Sequence, residues 1–86
     1  MPVYHAELLV YLRPDLLDPQ GRAVKHALNT LGFHEVEDVR MGKAIRIRLQ
    51  AENDSQARDR LKEMAEKLLT NPVIEDYRIL SLEQEP

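Results

Sequence analysis

The sequence contains no cysteine and no tryptophan, and only two serines. Without cysteine the chain cannot form disulfides, thiolate metal sites, iron–sulfur clusters or a catalytic thiol. Neither Ser55 nor Ser81 lies in a glycine-flanked elbow, so no serine nucleophile is indicated. The longest apolar run, Leu8–Leu12, is far shorter than the roughly 20 residues that cross a bilayer. These absences exclude several enzyme classes and predict a cytoplasmic protein that does not enter a membrane.

Positive charge and aromatic side chains are also scarce. Fifteen acidic residues outnumber twelve Lys and Arg, which gives a net charge of -3 at pH 7, and aromatics make up 5% of the chain. RNA-binding sheets need stacking aromatics and a basic field, so nucleic acid is not expected as a partner. The three histidines, His5, His26 and His34, fall on different predicted elements, which predicts no metal site. No residue is therefore assigned a catalytic role.

The sequence does have regular apolar periodicities within 86 residues, of which 43% are hydrophobic. This length and composition predict a single small domain, residues 1–86. Strict alternation over residues 3–12 and 44–50 predicts two strong strands. Residues 34–41 alternate less regularly and are assigned to a weaker strand, joined to the next one by a hairpin turn at Gly42-Lys43.

Two segments have helical periodicity. Asp18 followed by Pro19 predicts a capped helix start, and Gly32 suits a left-handed C-terminal residue, so a first helix is expected to end near Leu31. The apolar stripe of residues 54–69 predicts a second helix. Pro72 disfavours further helix, and the β-branched residues that follow predict a last strand.

The resulting order, β-α-β-β-α-β, predicts a ferredoxin-like two-layer α+β sandwich with both helices on one face of an antiparallel sheet. The opposite face would carry Leu9 and Tyr11. A small domain should not leave this apolar strip exposed, so we expect it to contact another copy in a homodimer or larger assembly. On the same face, Arg46 is expected to form a cross-strand ion pair with Glu7 rather than an anion site.

Four segments taken together resemble a known family. They are Asp18-Pro19-Gln20-Gly21, Leu31-Gly32, Val39-Arg40-Met41-Gly42-Lys43 and Leu69-Thr70-Asn71-Pro72-Val73-Ile74-Glu75-Asp76-Tyr77. In this order and spacing they resemble the PurS family, the small subunits of phosphoribosylformylglycinamidine synthase. The resemblance extends from Val3 to about Leu80.

The resemblance implies a role in purine biosynthesis, within a ligase that uses ATP and glutamine to convert formylglycinamide ribonucleotide to formylglycinamidine ribonucleotide. The implied partners are a large synthetase subunit, which binds ATP and Mg, and a glutaminase subunit, which releases ammonia. The small subunit would bridge these two and support ammonia transfer, with no cofactor and no catalytic residue of its own.

The resemblance also supplies the candidate site residues. Candidates for partner contact are Arg40, Gly42, Lys43, Asn71, Glu75 and Tyr77. Structural motif roles are assigned to Asp18, Pro19, Gln20, Gly21, Gly32 and Pro72. We expect Arg40 and Lys43 to project from the hairpin turn toward an acidic partner surface, the alternative being that they only keep the turn solvated.

Other functions are compatible with the predicted element order. An ACT-type regulatory domain shares it, but usually has a glycine after the first strand, where this chain has Arg13-Pro14-Asp15. A standalone acylphosphatase would need a phosphate-binding glycine loop in the same place. Gly42-Lys43 lacks the earlier glycine and the following Ser or Thr of a P-loop. The small-subunit interpretation is therefore favoured, with the ACT-type domain as the alternative.

Overall fold

A computed structural model describes all 86 residues as three strands and two helices. The strands are β1 (Val3–Leu12), β2 (Gly42–Gln50) and β3 (Glu75–Gln84). Helix α1 spans Pro19–Thr30, and α2 (Asp54–Met64) continues as one π-helical turn over Ala65–Leu69. The strands form one antiparallel sheet in the order β2-β1-β3. The predicted α+β class, an antiparallel sheet with two helices, is confirmed. No helix has the length and apolar character needed to cross a membrane.

Residues 34–41, predicted as the second strand, do not pair with the sheet. Val36 and Val39 fall on opposite sides of an extended chain, so the segment offers no continuous apolar face to bury. The segment is held instead by polar contacts with the residues that precede α1. The predicted hairpin turn is also absent, because Gly42 and Lys43 lie inside β2, paired with β1.

The core lies mainly between β1 and α2. Ala6 and Leu8 of β1 pack with Leu61 of α2 and with Ala65, the first residue of the π-helical turn. Complete burial of a leucine side chain contributes about 1.5–3 kcal/mol relative to an exposed one. The alternation predicted for β1 is confirmed, since its buried residues are the even-numbered ones from Tyr4 onward.

Helix α1 does not lie on the sheet, which corrects the prediction of two helices on one face. Only Gly21 is buried within it, and the residues that follow, Leu31 and Phe33, are 74% and 49% exposed. The chain measures 51 × 30 × 14 Å with a radius of gyration of 16.4 Å, whereas a compact domain of this length would have about 12 Å. Residues 19–33 therefore form an extension, called the arm below, that is fixed only at its first turn.

The sheet face opposite α2 is open and partly charged. Arg46 Nε lies 3.6 Å from Glu7 Oε2, which confirms the predicted cross-strand ion pair. The Glu85 carboxylate accepts a 2.9 Å hydrogen bond from Arg48 and lies 3.1 Å from His5 Nε2. The Arg48 contact, followed by that of His5, lowers the pKa of Glu85.

Candidate functional site at the loop end of the sheet

Three of the four segments that carry the resemblance meet at one end of the sheet. Strand β1 ends where β2 and β3 begin, as the pairs Tyr11↔Gly42 and Leu12↔Glu75 show. Helix α1 begins at the same place, and the fourth segment, Leu31-Gly32, lies beyond its other end. Residues 13–21, 38–43 and 71–77 are called the loop end below. Because they are distant in sequence, only the fold brings them together.

Asp18 links the start of α1 to the start of β2. Its side chain is almost fully buried, at 4% exposure. Oδ1 accepts a 2.9 Å hydrogen bond from the Gly21 amide as the helix N-cap, and Oδ2 accepts a 2.7 Å bond from the Met41 amide. The bonds from Met41 and then Gly21 lower the pKa of Asp18, and the neighbouring Arg40 adds to this. The carboxylate is therefore committed to two backbone amides and is ionised.

Gly21 allows α1 to approach the segment before β2. A Cβ atom at this position would lie 2.1 Å from the carbonyl oxygen of Val39, which is far inside van der Waals contact. The backbone neighbour cannot move away as a flexible side chain would. Gly21 is therefore needed for the close approach of two chain segments and not for a special backbone angle. Pro19 lies in the first turn of α1, where backbone N–H groups have no partner within the helix. The N–H that proline lacks therefore costs no hydrogen bond.

Arg40 fixes the same segment to the loop after β1. Its guanidinium donates a 2.8 Å hydrogen bond to the carbonyl of Leu16 and a 2.9 Å bond to that of Arg13. These bonds direct the side chain toward its own chain, and not outward from a hairpin as predicted. Lys43 is exposed and makes no ion pair. The two cations that the sequence grouped together therefore have different surroundings.

Arg13 connects this loop to the segment before β3, although the sequence analysis assigned it no role. Its amide donates a 2.9 Å bond to the carbonyl of Ile74, its guanidinium donates to the carbonyl of Pro72, and Nε lies 4.0 Å from Asp76 Oδ1. Pro14 indicates that the strand ends at Arg13, because proline stops a strand, but it does not indicate which residues Arg13 contacts. Asp18 and Arg40 thus connect the loop after β1 to the segment before β2, and Arg13 connects it to the segment before β3.

Asn71 and Glu75 close the turn that precedes β3. The Glu75 carboxylate accepts from the Asn71 amide at 2.7 Å, and the Asn71 carbonyl accepts from the Glu75 amide at 2.7 Å. Asn71 Oδ1 also accepts from the Val73 amide at 3.1 Å. Both residues shape this turn through their side chains, while Pro72 and Val73 remain exposed on it.

The remaining predicted residues lie in different places. A cleft of about 300 Å³ brings together Gln20, Gly42, Lys43 and Glu75. Tyr77 is separate, half-buried against the core. Gly32 has φ of 103°, which only glycine adopts readily, and follows the C-cap of α1.

Leu9 and Tyr11 lie on the open face beside a second cleft of about 430 Å³. Both are half-buried by their own chain. The structure contains no group of three His, Cys, Asp or Glu side chains placed to hold a metal ion. The loop end therefore combines open clefts with polar side chains that are largely engaged by backbone groups. This arrangement is suited to presenting a defined surface.

A family model described as "PurS: Phosphoribosylformylglycinamidine (FGAM) synthase" matches residues 5–83 of the chain. Among curated proteins, the chain is 42% identical over 77 residues to phosphoribosylformylglycinamidine synthase subunit PurS of Methanocaldococcus jannaschii, covering 90% of this chain and 93% of that one. It is 46% identical over 76 residues to the same subunit of Bacillus subtilis, covering 88% and 89%.

Solved structures give the same result. The fold is similar to Thermus thermophilus PurS with a TM-score of 0.87 and 47% identity, covering 99% of this chain and 100% of that one. It is also similar to a chain in the structure of PurLQS from Thermotoga maritima, with a TM-score of 0.84, 30% identity and coverage of 99% and 100%.

Proposed function

The chain belongs to the PurS family, the small subunits of phosphoribosylformylglycinamidine synthase, and from this membership we propose that it bridges the other two subunits of that enzyme. The synthetase and glutaminase subunits carry out the chemistry, and this chain supports the transfer of ammonia between them. The similarity to a chain of the Thermotoga maritima PurLQS structure supports this proposal. Family membership also outweighs the alternative of an ACT-type regulatory domain.

The observation that carries the bridging role is the commitment of the loop-end side chains to the chain's own backbone. Asp18, Arg40 and Arg13 each bind main-chain groups of another loop. Such bonds make a surface rigid before a partner arrives, which reduces the entropy lost on binding. They also leave no ionisable side chain of the three free for proton transfer to a substrate.

ATP and Mg belong, in this proposal, to the synthetase subunit, and the small subunit holds no cofactor. The reaction as a whole is the ATP- and glutamine-dependent conversion of formylglycinamide ribonucleotide to formylglycinamidine ribonucleotide. A complex of this kind, in nucleotide biosynthesis, operates in the cytoplasm.

We further propose that the chain acts as a homodimer or larger assembly. The arm supports this, because its own chain buries Val24 and Leu28 only in part and leaves Leu31 74% exposed. A second apolar area lies beside α2, where a cleft of about 350 Å³ is lined by Ile47, Met64 and Leu68, the last 82% exposed. Burying both areas would stabilise a domain that has few fully buried residues.

Reconstitution with the synthetase and glutaminase subunits tests the function. With all three chains we expect glutamine-dependent synthesis. Without the small subunit this activity should be lost, while synthesis from added ammonium should remain, because free ammonia needs no delivery. The purified chain alone should neither hydrolyse glutamine nor turn over ATP. Full glutamine-dependent synthesis in its absence would overturn the proposal.

A further inference from the structure

The polar side of the arm carries two cations, Arg22 and Lys25, together with the imidazole of His26. Lys25 and His26 follow Arg22 by three and four residues on α1, so the three share one side of the helix. None forms an ion pair, whereas Arg13, Arg46, Arg48, Arg60 and Lys67 all do. The helix contains no acidic residue at all. No residue of α1 therefore balances the positive charge of Arg22 and Lys25.

This local charge is opposite to that of the rest of the molecule. The whole chain carries -3, and α1 contributes +2 from Arg22 and Lys25, so the other residues together carry -5 at pH 7. Such a dipolar distribution orients an approaching charged partner before contact. The arm also lies outside the body of the sheet, where a second molecule can reach it.

Arg22, Lys25 and His26 line one wall of an open cleft of about 460 Å³ between α1 and residues 38–40. Asn29 lies on the same wall, and Asp18, Asp38 and Arg40 also line the cleft, although neither aspartate forms an ion pair with the arm. Arg22 and His26 are exposed, and the cleft is predominantly polar. Small-molecule sites are usually apolar and enclose most of their ligand. A protein surface fits this cleft better, because interface rims are polar and open.

We propose that the Arg22–Lys25–His26 side of the arm docks an acidic surface of a partner subunit. The inference deepens the proposed bridging function and rests on it. It also relocates the cationic contact that the sequence assigned to Arg40, whose guanidinium is already engaged by two backbone carbonyls. The apolar side of the arm, with Val24 and Leu28, stays available for self-association, so both contacts can form at once.

Binding of the full chain to the synthetase and glutaminase subunits, measured by biolayer interferometry at low and high salt, tests this docking surface. The variant Arg22→Glu with Lys25→Glu should weaken binding by about tenfold or more, mainly through slower association, and should lose the salt dependence. Arg22→Gln with Lys25→Gln should give a smaller loss in the same direction, because it removes attraction without adding repulsion.

The matched control is Arg58→Glu with Lys62→Glu on α2. These two exposed cations are, like Arg22 and Lys25, unpaired and one helical turn apart, and the change in net charge is identical. We expect the control to alter binding by less than about threefold, since it leaves the arm intact. Asp38→Asn removes a carboxylate from the cleft and should strengthen binding to an acidic surface.

The results separate this inference from the proposed function. The proposed docking surface is wrong, and the bridging function stands, if the parent and the arm variant bind the partners equally well. The same conclusion follows if the α2 control loses as much affinity as the arm variant. If the parent does not bind either subunit, the bridging function is wrong and the inference falls with it. Circular dichroism should show that both variants keep the parent's fold, since the changed side chains are not part of the core.

Discussion

Asp18 and Met41, 23 residues apart in the chain, are joined by a 2.7 Å hydrogen bond from the Met41 amide to Asp18 Oδ2. The other oxygen of the same carboxylate caps α1 through the Gly21 amide. One side chain therefore sets both where the arm begins and where β2 begins. Any change at this carboxylate should affect the two elements together.

Acid should weaken the fold through Asp18. Backbone hydrogen bonds from Met41 and Gly21 lower the pKa of this carboxyl in the folded state. Its contribution to stability is therefore complete above the pKa of the unfolded chain and is lost as the pH falls through the lower folded pKa. We expect Asp18→Asn to be less stable than the parent at neutral pH, and the difference to shrink below about pH 4.

Urea unfolding at a series of pH values measures this difference. Asp15→Asn is the control, because Asp15 is exposed in the same loop and makes no side-chain hydrogen bond or ion pair. Glu85, whose pKa is also lowered, is unchanged in both variants, so its own response to acid cancels. A difference between parent and Asp18→Asn that is constant from neutral to acidic pH would contradict the prediction.

Gly21→Ala should destabilise the protein even though alanine is the better helix former. In an ordinary helix position the exchange gains up to about 1 kcal/mol. Here the new Cβ would meet the Val39 carbonyl at 2.1 Å, so we expect a net loss of about 1–3 kcal/mol from overpacking. Ala23→Gly, at an exposed position of the same helix, should also destabilise. Thermal unfolding that showed alanine preferred at both positions would refute the close approach.

Arg40 and Lys43 should have separable effects. Arg40→Gln removes the donor for two backbone carbonyls, so we expect the free energy of unfolding to fall by about 1 kcal/mol. Lys43→Gln should change it by less than about 0.5 kcal/mol, because the side chain is exposed and unpaired. Denaturant titration checks both values. Equal losses of stability would show that Lys43 also supports the fold. The partner contact predicted for Lys43 is tested separately, by assembly assays of Lys43→Glu.

The arm should decide the state of association. Leu31→Glu with Phe33→Glu places charges on two exposed apolar residues, so a contact that buries them should be lost without loss of monomer stability. Leu17→Glu, at another exposed leucine, is the control. Analytical ultracentrifugation should show monomers only for the arm variant. If that variant associates like the parent, the contact lies elsewhere, and Leu9 and Tyr11 become the surface to change.

Much of the local structure was predictable, because it depends on neighbouring residues. The cap formed by Asp18, the proline that follows it and the left-handed Gly32 all act within one helical turn. The alternation of β1 was equally plain, since a strand buried on one face must repeat every second residue. The assignment to the family needed only the order and spacing of short segments.

The connections between loops were not predictable from the same information. Arg13 binds the carbonyls of Pro72 and Ile74, and nothing near Arg13 in the sequence indicates a partner so distant. Residues 34–41 contain β-branched residues at irregular spacing, which favoured a strand, but the contacts made by Asp18 and Arg40 determine their path. The position of α1 was not predictable, because an amphipathic pattern shows that the apolar face of a helix will be buried but does not show which surface buries it.

The order in which the strands pair also constrains when the chain can fold during synthesis. Strand β1 emerges from the ribosome first and is central in the sheet, yet one of its neighbours is β3, with pairs such as His5↔Glu83. Contacts between residues so far apart in the sequence form slowly, and these can form only after β3 has been synthesised. Until then the run Leu8–Leu12 has one edge unpaired and free to join another nascent chain. Newly made chains should therefore depend on chaperones more than a helical protein of the same length does.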